Sequence, residues 1–142
     1  MSRSRDQDAC PSALQVHQAA DGALVRVRLP GGMIRAAQLQ ALAELANEFG
    51  SGSLELTSRG SVQLRAIRDT GAVAEAVAAA GLLPSETHER ARNIVASPLS
   101  GRAGGVADVR PWVADLDTAI QDEPTLAALP GRFWFSLDDG RG

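Results

Sequence analysis

Arginine is the residue type through which this sequence can do chemistry. Arg26 and Arg28 stand two apart in Leu24-Val25-Arg26-Val27-Arg28, and Gln63 and Arg65 stand two apart in Val62-Gln63-Leu64-Arg65. In an extended chain that spacing sends each pair to one face. If both faces belong to one sheet, the result is a cationic platform, and a planar guanidinium can grip a carboxylate through two parallel N–H donors. The same pattern also fits a solvated sheet face. Arg59 lies between two apolar runs, and Arg92-Asn93 lies just before a third. Loops on a rigid support commonly deliver side chains to a site. Two arginines converging from such loops make an anion pocket, whereas apart they are ordinary turn residues.

Other chemistries find little support. His17 and His88 have no partner at metal-ligand spacing and are expected on the surface, so no metal site is expected. Ser97 and Ser100 lack a nucleophile-elbow context, and Gly104-Gly105 fits neither a phosphate loop nor a dinucleotide fingerprint. Asp115 and Asp117 are two apart on a predicted helix and cannot face one another as a carboxylate pair.

The elements that must position the arginines follow from periodicity. Residues 23–29 alternate, with Val25, Val27 and Leu29 on one side and Leu24, Arg26 and Arg28 on the other, predicting a half-buried strand. Residues 34–49 place Leu39, Leu42, Leu45, Ala46 and Phe49 on a helical stripe that Gly50 closes. Residues 53–67 read as two strands, Leu54 and Leu56 in phase before Ser58-Arg59-Gly60, Val62 and Leu64 in phase after it. Asp69 or Thr70 can cap a helix running through Val73, Val77 and Ala80 to Gly81. After a polar stretch, residues 94–96 are apolar. Asp108 is the expected N-cap of a further helix, with Pro111 in its first turn and Val109, Trp112, Val113, Leu116 and Ile120 as its buried stripe. Residues 133–137 predict a final strand. A β-α-β-β-α unit is thus followed by two strands and a helix, too little for an independent core, so the second unit reads as incomplete.

With 44% hydrophobic and 22% charged residues over 142 positions, the composition is that of an ordinary globular domain. The net charge of -3, without a run of basic residues, disfavours nucleic acid. All 14 basic residues are arginine. No apolar stretch is long enough to span a bilayer, and the first residues lack a secretory signal. The single cysteine, Cys10, cannot form an internal disulfide, which makes a cytoplasmic setting the expectation. Residues 1–21 are expected to be a disordered leader.

The segment Leu54-Glu55-Leu56-Thr57-Ser58-Arg59-Gly60-Ser61-Val62-Gln63-Leu64-Arg65 resembles the threonine-x-arginine signature of the ferredoxin-like half-domain in sirohaem-dependent nitrite and sulfite reductases. Downstream, Ala91-Arg92-Asn93-Ile94-Val95-Ala96-Ser97-Pro98-Leu99-Ser100-Gly101 is similar to the arginine-asparagine segment that opens the catalytic domain of that family. Arg26 to Gly32, Ser97 to Arg102, Leu129 to Phe133 and Asp138 to Gly142 look most like the family's precorrin-3B synthase branch.

The resemblance implies an α+β fold: a half-domain with a helix-backed sheet over residues 22–84, then the beginning of a catalytic domain over 85–142. It implies that Arg59 and Arg92 face an oxyanion substrate and a tetrapyrrole, as catalytic and cofactor-binding residues, with Gln63, Arg65 and Asn93 as their neighbours. The implied ligand is a polycarboxylate tetrapyrrole, either sirohaem or a precorrin, and the implied function is in cobalamin biosynthesis. The complete enzyme would hydroxylate and lactonise a precorrin using a 4Fe-4S centre. Fragments of a nitrite or sulfite reductase and a stand-alone tetrapyrrole-binding module are the alternatives. The family's cluster takes four cysteine thiolates, which this chain lacks, so a cysteine-bearing carboxyl-terminal half is the implied partner and the chain alone is expected to be inactive. Gly60 stands where the reductases commonly have glutamine.

Overall fold

A computed structural model describes residues 12–14 and 16–142. Residues 1–11, including Cys10, lie outside the described set, as does that part of the expected leader.

Four strands form the main sheet: β1 (His17–Ala19), β2 (Gly22–Arg28), β3 (Leu54–Leu56) and β4 (Ser61–Ile67), in the order β1-β2-β4-β3 with every neighbouring pair antiparallel. Helices α1 (Ala36–Phe49) and α2 (Thr70–Ala79) back it. Alternation explains the sheet's buried face. Val25, Val27, Val62 and Leu64 are all within 1% of complete burial and pack with Leu42 and Leu45 of α1 and Val73 and Val77 of α2. Each such aliphatic side chain withdraws enough apolar surface to contribute about 1.5–3 kcal/mol. The Asp69 carboxylate caps α2 by accepting from Ala72 N at 3.0 Å. Gln38 ties the helices together, accepting from Arg35 N at 3.0 Å and donating to Ala80 O at 3.0 Å.

The second unit is a parallel pair, β5 (Ile94–Ala96) and β6 (Phe135–Leu137), joined through α3 (Arg110–Asp122). A parallel pair requires such a crossover. Its small core contains Ala91, Ile94, Val113 and Ile120, with Leu116, Phe135 and Leu137 partly buried against it. The whole is α+β, as expected.

Several details differ from the periodicity reading. Residues 17–19 form an ordered edge strand, Ser12 and Ala13 are buried, and Ala13 N donates to Glu89 Oε1 at 2.6 Å, so the expected leader does not extend through this stretch. Leu39 and Trp112 were placed on buried stripes but are 39% and 52% exposed, because the facing elements cover only the centre of each stripe. Leu56 is 80% exposed at the sheet edge, where no element covers it. Asp108 precedes the cap position, held by Val109, although its carboxylate still accepts from Arg110 N at 3.1 Å. The last strand begins at Phe135, leaving Phe133 and Trp134 before it and about half exposed. His88 is buried rather than on the surface: its ring nitrogens lie 2.8 Å from Thr87 Oγ1 and 2.9 Å from Glu123 O, partners that satisfy both.

Candidate functional site

The strand faces that carry Arg26 and Gln63 coincide in the main sheet. The two are register partners, and Arg26 Nε and Nη2 donate to Gln63 Oε1 at 3.1 and 2.7 Å. Gln63 Nε2 donates onward to Glu55 Oε2 at 3.3 Å, and Arg65 Nε to Glu55 Oε1 at 2.8 Å. The sheet face opposite the helices is therefore a polar ladder running from β2 through β4 to β3. Glu55 supplies a negative charge that periodicity did not draw attention to, and its hydrogen bond holds the Arg65 guanidinium above its usual value.

Arg28 leaves that ladder. It is only 3% exposed, and its Nε donates to Asn93 Oδ1 at 2.6 Å. Asn93 Nδ2 in turn donates to Arg90 O at 2.6 Å and Gly131 O at 2.9 Å. Both ends of this amide are occupied, so Asn93 joins the main sheet to the second unit and to the loop before β6.

Arg92 is 5% exposed and bound bidentately by Asp117 of α3, Nε to Oδ1 at 2.6 Å and Nη2 to Oδ2 at 2.9 Å. Its remaining nitrogen, Nη1, is buried and has no hydrogen-bond partner among the described residues. Arg92 lines a cleft of about 240 Å³ together with Arg28, Met33, Leu82, Val113 and Asp117. Nη1 is covered by neighbouring atoms, so an oxyanion or carboxylate in the cleft reaches this donor only by displacing them.

Arg59 sits in the tight turn between β3 and β4. Thr57 builds this turn: its Oγ1 accepts from Arg59 N at 3.3 Å and Ser61 N at 3.1 Å, and its carbonyl accepts from Gly60 N at 3.1 Å. Gly60 has φ of +69°, a conformation that a side chain would strain, so the turn favours glycine at this position. The Arg59 guanidinium carbon lies 4.6 Å from the centroid of a Trp134 ring, a cation–π stack. Arg59 and Arg92 thus have different supports, Trp134 and Asp117.

Asp117 was considered in the sequence only as half of a rejected carboxylate pair, and Trp134 was not singled out at all. Asp117 carried a usable signal, since it lies four after Val113 and three before Ile120, on the buried side of α3. Trp134 carried a weaker one: with Phe135 and Leu137 turned toward the small core, strand alternation sends Trp134 the other way.

Residues 17–80 match the nitrite/sulfite reductase ferredoxin-like half domain, which covers all four strands of the main sheet and both backing helices. This stretch belongs to that family. The chain is 31% identical over 140 residues to a precorrin-3B synthase of Sinorhizobium sp, covering 96% of this chain and 30% of that protein. It is 32% identical over 127 residues to a ferredoxin–nitrite reductase of Synechococcus elongatus, covering 83% of this chain and 25% of the relative. A sulfite reductase [NADPH] hemoprotein beta-component of Shouchella clausii is 29% identical over 107 residues. The chain therefore spans about a third or less of the length of these relatives. No helix among the described residues is long and apolar enough to cross a membrane.

Proposed function

We propose that this chain is the tetrapyrrole-facing part of a precorrin-3B synthase-like oxidoreductase of cobalamin biosynthesis, acting in the cytoplasm with a cysteine-bearing carboxyl-terminal half. In this reading residues 85–142 begin the catalytic domain.

The observation that carries the reading is Arg59. The arginine of the threonine-x-arginine signature is presented at a turn and stacked on a neutral ring, so its charge is not cancelled by a carboxylate among the described residues. Arg92, which lines the cleft, is a second guanidinium, with Nη1 its one nitrogen not bonded to Asp117. Donors on separate supports suit a ligand that carries several carboxylates around a rigid ring, and sirohaem and precorrins both have that chemistry. The donor set fits a tetrapyrrole in which Arg59 and Arg92 hold carboxylates, while Asn93, Gln63 and Arg65 keep the framework in place. When bound, the macrocycle supplies the reacting or redox-active centre. A 4Fe-4S cluster does not fit this chain, because four thiolates are needed and the sequence has one cysteine. No step through a cluster is assigned to it.

The match to a precorrin-3B synthase along 96% of the chain supports that branch. The match to a ferredoxin–nitrite reductase supports a second reading, a fragment of a sirohaem-dependent reductase. The test is a titration of the chain with uroporphyrin, a polycarboxylate, and with a cationic porphyrin of the same ring size. The expected result is binding of uroporphyrin that weakens as salt rises, with none of the cationic ring. Equal binding of both, or of neither, contradicts the reading. Preference for sirohaem over a precorrin favours the reductase alternative.

A further inference from the structure

We propose that Trp134 is a positioning residue for Arg59, holding its guanidinium on an aromatic face so that the in-plane N–H groups stay available to an anionic ligand. This rests on the tetrapyrrole reading for the identity of the anion, but not for the positioning itself.

The four other candidate site residues show what the alternative looks like. Arg65 is paired with Glu55, and Arg92 gives two donors to Asp117. Gln63 and Asn93 are taken up by their neighbours. An arginine held by a carboxylate loses most of its field and two of its donors. An arginine held by an indole loses neither, because the stack uses the face of the guanidinium while hydrogen bonds leave from its edge. Trp134 therefore orders a long, flexible side chain without neutralising it.

The fold fixes the chain on either side of Trp134 by identifiable contacts. Phe135, the next residue, is register partner of Ile94, and its N–H donates to Asn93 O at 2.8 Å. On the other side, Asn93 Nδ2 donates to Gly131 O at 2.9 Å, and Phe133 N donates to Pro130 O at 3.0 Å. Phe133 and Phe135 meet edge to face at 5.2 Å between centroids. The backbone on both sides of Trp134 is thus fixed, and the ring sits 44% exposed beside a turn of the main sheet. This makes the second unit contribute to the presentation of a residue that belongs to the first.

The experiment uses the whole chain and five proteins: parent, Trp134→Ala, Trp134→Phe, Arg59→Ala, and the Trp134→Ala/Arg59→Ala double variant that completes a cycle. Uroporphyrin is the probe. Trp134→Ala should weaken binding about three- to tenfold, the loss expected when one long side chain has to be immobilised on binding instead of beforehand. Trp134→Phe should recover most of it, and Trp134→Ala should add nothing once Arg59 is already alanine. In parallel, the Arg59 Nε proton in a nitrogen–proton correlation spectrum should be displaced by the indole ring current in the parent and should return toward its free position in Trp134→Ala. Equal weakening by Trp134→Ala with and without Arg59 overturns the positioning role, as does an undisplaced Nε proton in the parent. A displaced proton in a parent that does not bind uroporphyrin upholds the positioning and sinks the tetrapyrrole reading instead.

Discussion

Arg28 Nε donates to Asn93 Oδ1 at 2.6 Å, a bond that spans 65 residues of sequence and joins β2 of the half-domain to the entry of β5. Because Asn93 also holds Arg90 O and Gly131 O, one amide sets the relation between the main sheet and the loop that precedes Trp134. Replacing Asn93 with alanine removes one hydrogen bond from each of Arg28 Nε, Arg90 O and Gly131 O. The expected cost is about 1–3 kcal/mol, read from the shift of the urea midpoint at unchanged slope. A midpoint within error of the parent would show that the bond is not needed.

Asp117 is expected to matter more. It is the carboxylate partner of Arg92, whose side chain is 5% exposed against 18% for the aspartate. Asp117→Ala strands a buried positive charge, and losing one member of a buried pair typically costs about 3–5 kcal/mol. Asp117→Leu/Arg92→Met, which removes both charges, should restore much of that loss. Urea unfolding of the single and double variants checks the order, and a single variant as stable as the parent contradicts it.

Much of the half-domain was legible because its physics is local. Val25, Val27, Val62 and Leu64 alternate since only one face of their sheet is covered, and Asp69 caps the helix it immediately precedes. What stayed hidden depends on distant partners. The edge strand His17–Ala19 has no apolar alternation and exists through pairing with β2. His88 is buried because Glu123 O, 35 residues away, accepts or faces its ring nitrogen. The arginines were legible as a set, but not their roles. Spacing could not show that Arg65 is compensated by Glu55 and Arg92 by Asp117, while Arg59 rests on an indole.

Stability should fall in acid partly through Asp139. Its side chain is buried, Arg141 donates to it from Nε at 2.8 Å and Nη2 at 2.6 Å, and this pairing holds its carboxyl below the usual carboxylate range. A group with a depressed folded value contributes stability that is fully present above its unfolded value of about 4, and loses it as pH falls through the folded value. Asp139→Asn should therefore show a smaller drop in urea midpoint than the parent between about pH 5 and pH 3. The same drop in both proteins contradicts the assignment.

Gly105 should resist substitution for a related reason. It has φ of +81°, and a Cβ there would lie 2.5 Å from Asp139 Oδ2. Gly105→Ala is expected to destabilise by about 1–3 kcal/mol, through backbone strain and displacement of that carboxylate. Thermal unfolding checks it, and an unchanged midpoint would mean that the loop yields freely.

The central claim is that the signature arginine contacts a carboxylate of a bound tetrapyrrole, and it is tested most directly by titrating parent, Arg59→Ala and Arg3→Ala with uroporphyrin at low salt. Arg59→Ala should bind more weakly by about 1–3 kcal/mol, the worth of a charge-assisted hydrogen bond, with its unfolding midpoint lowered by no more than the loss of one exposed cation–π contact and Arg3→Ala equal to the parent. Equal affinity in all three proteins would contradict the account.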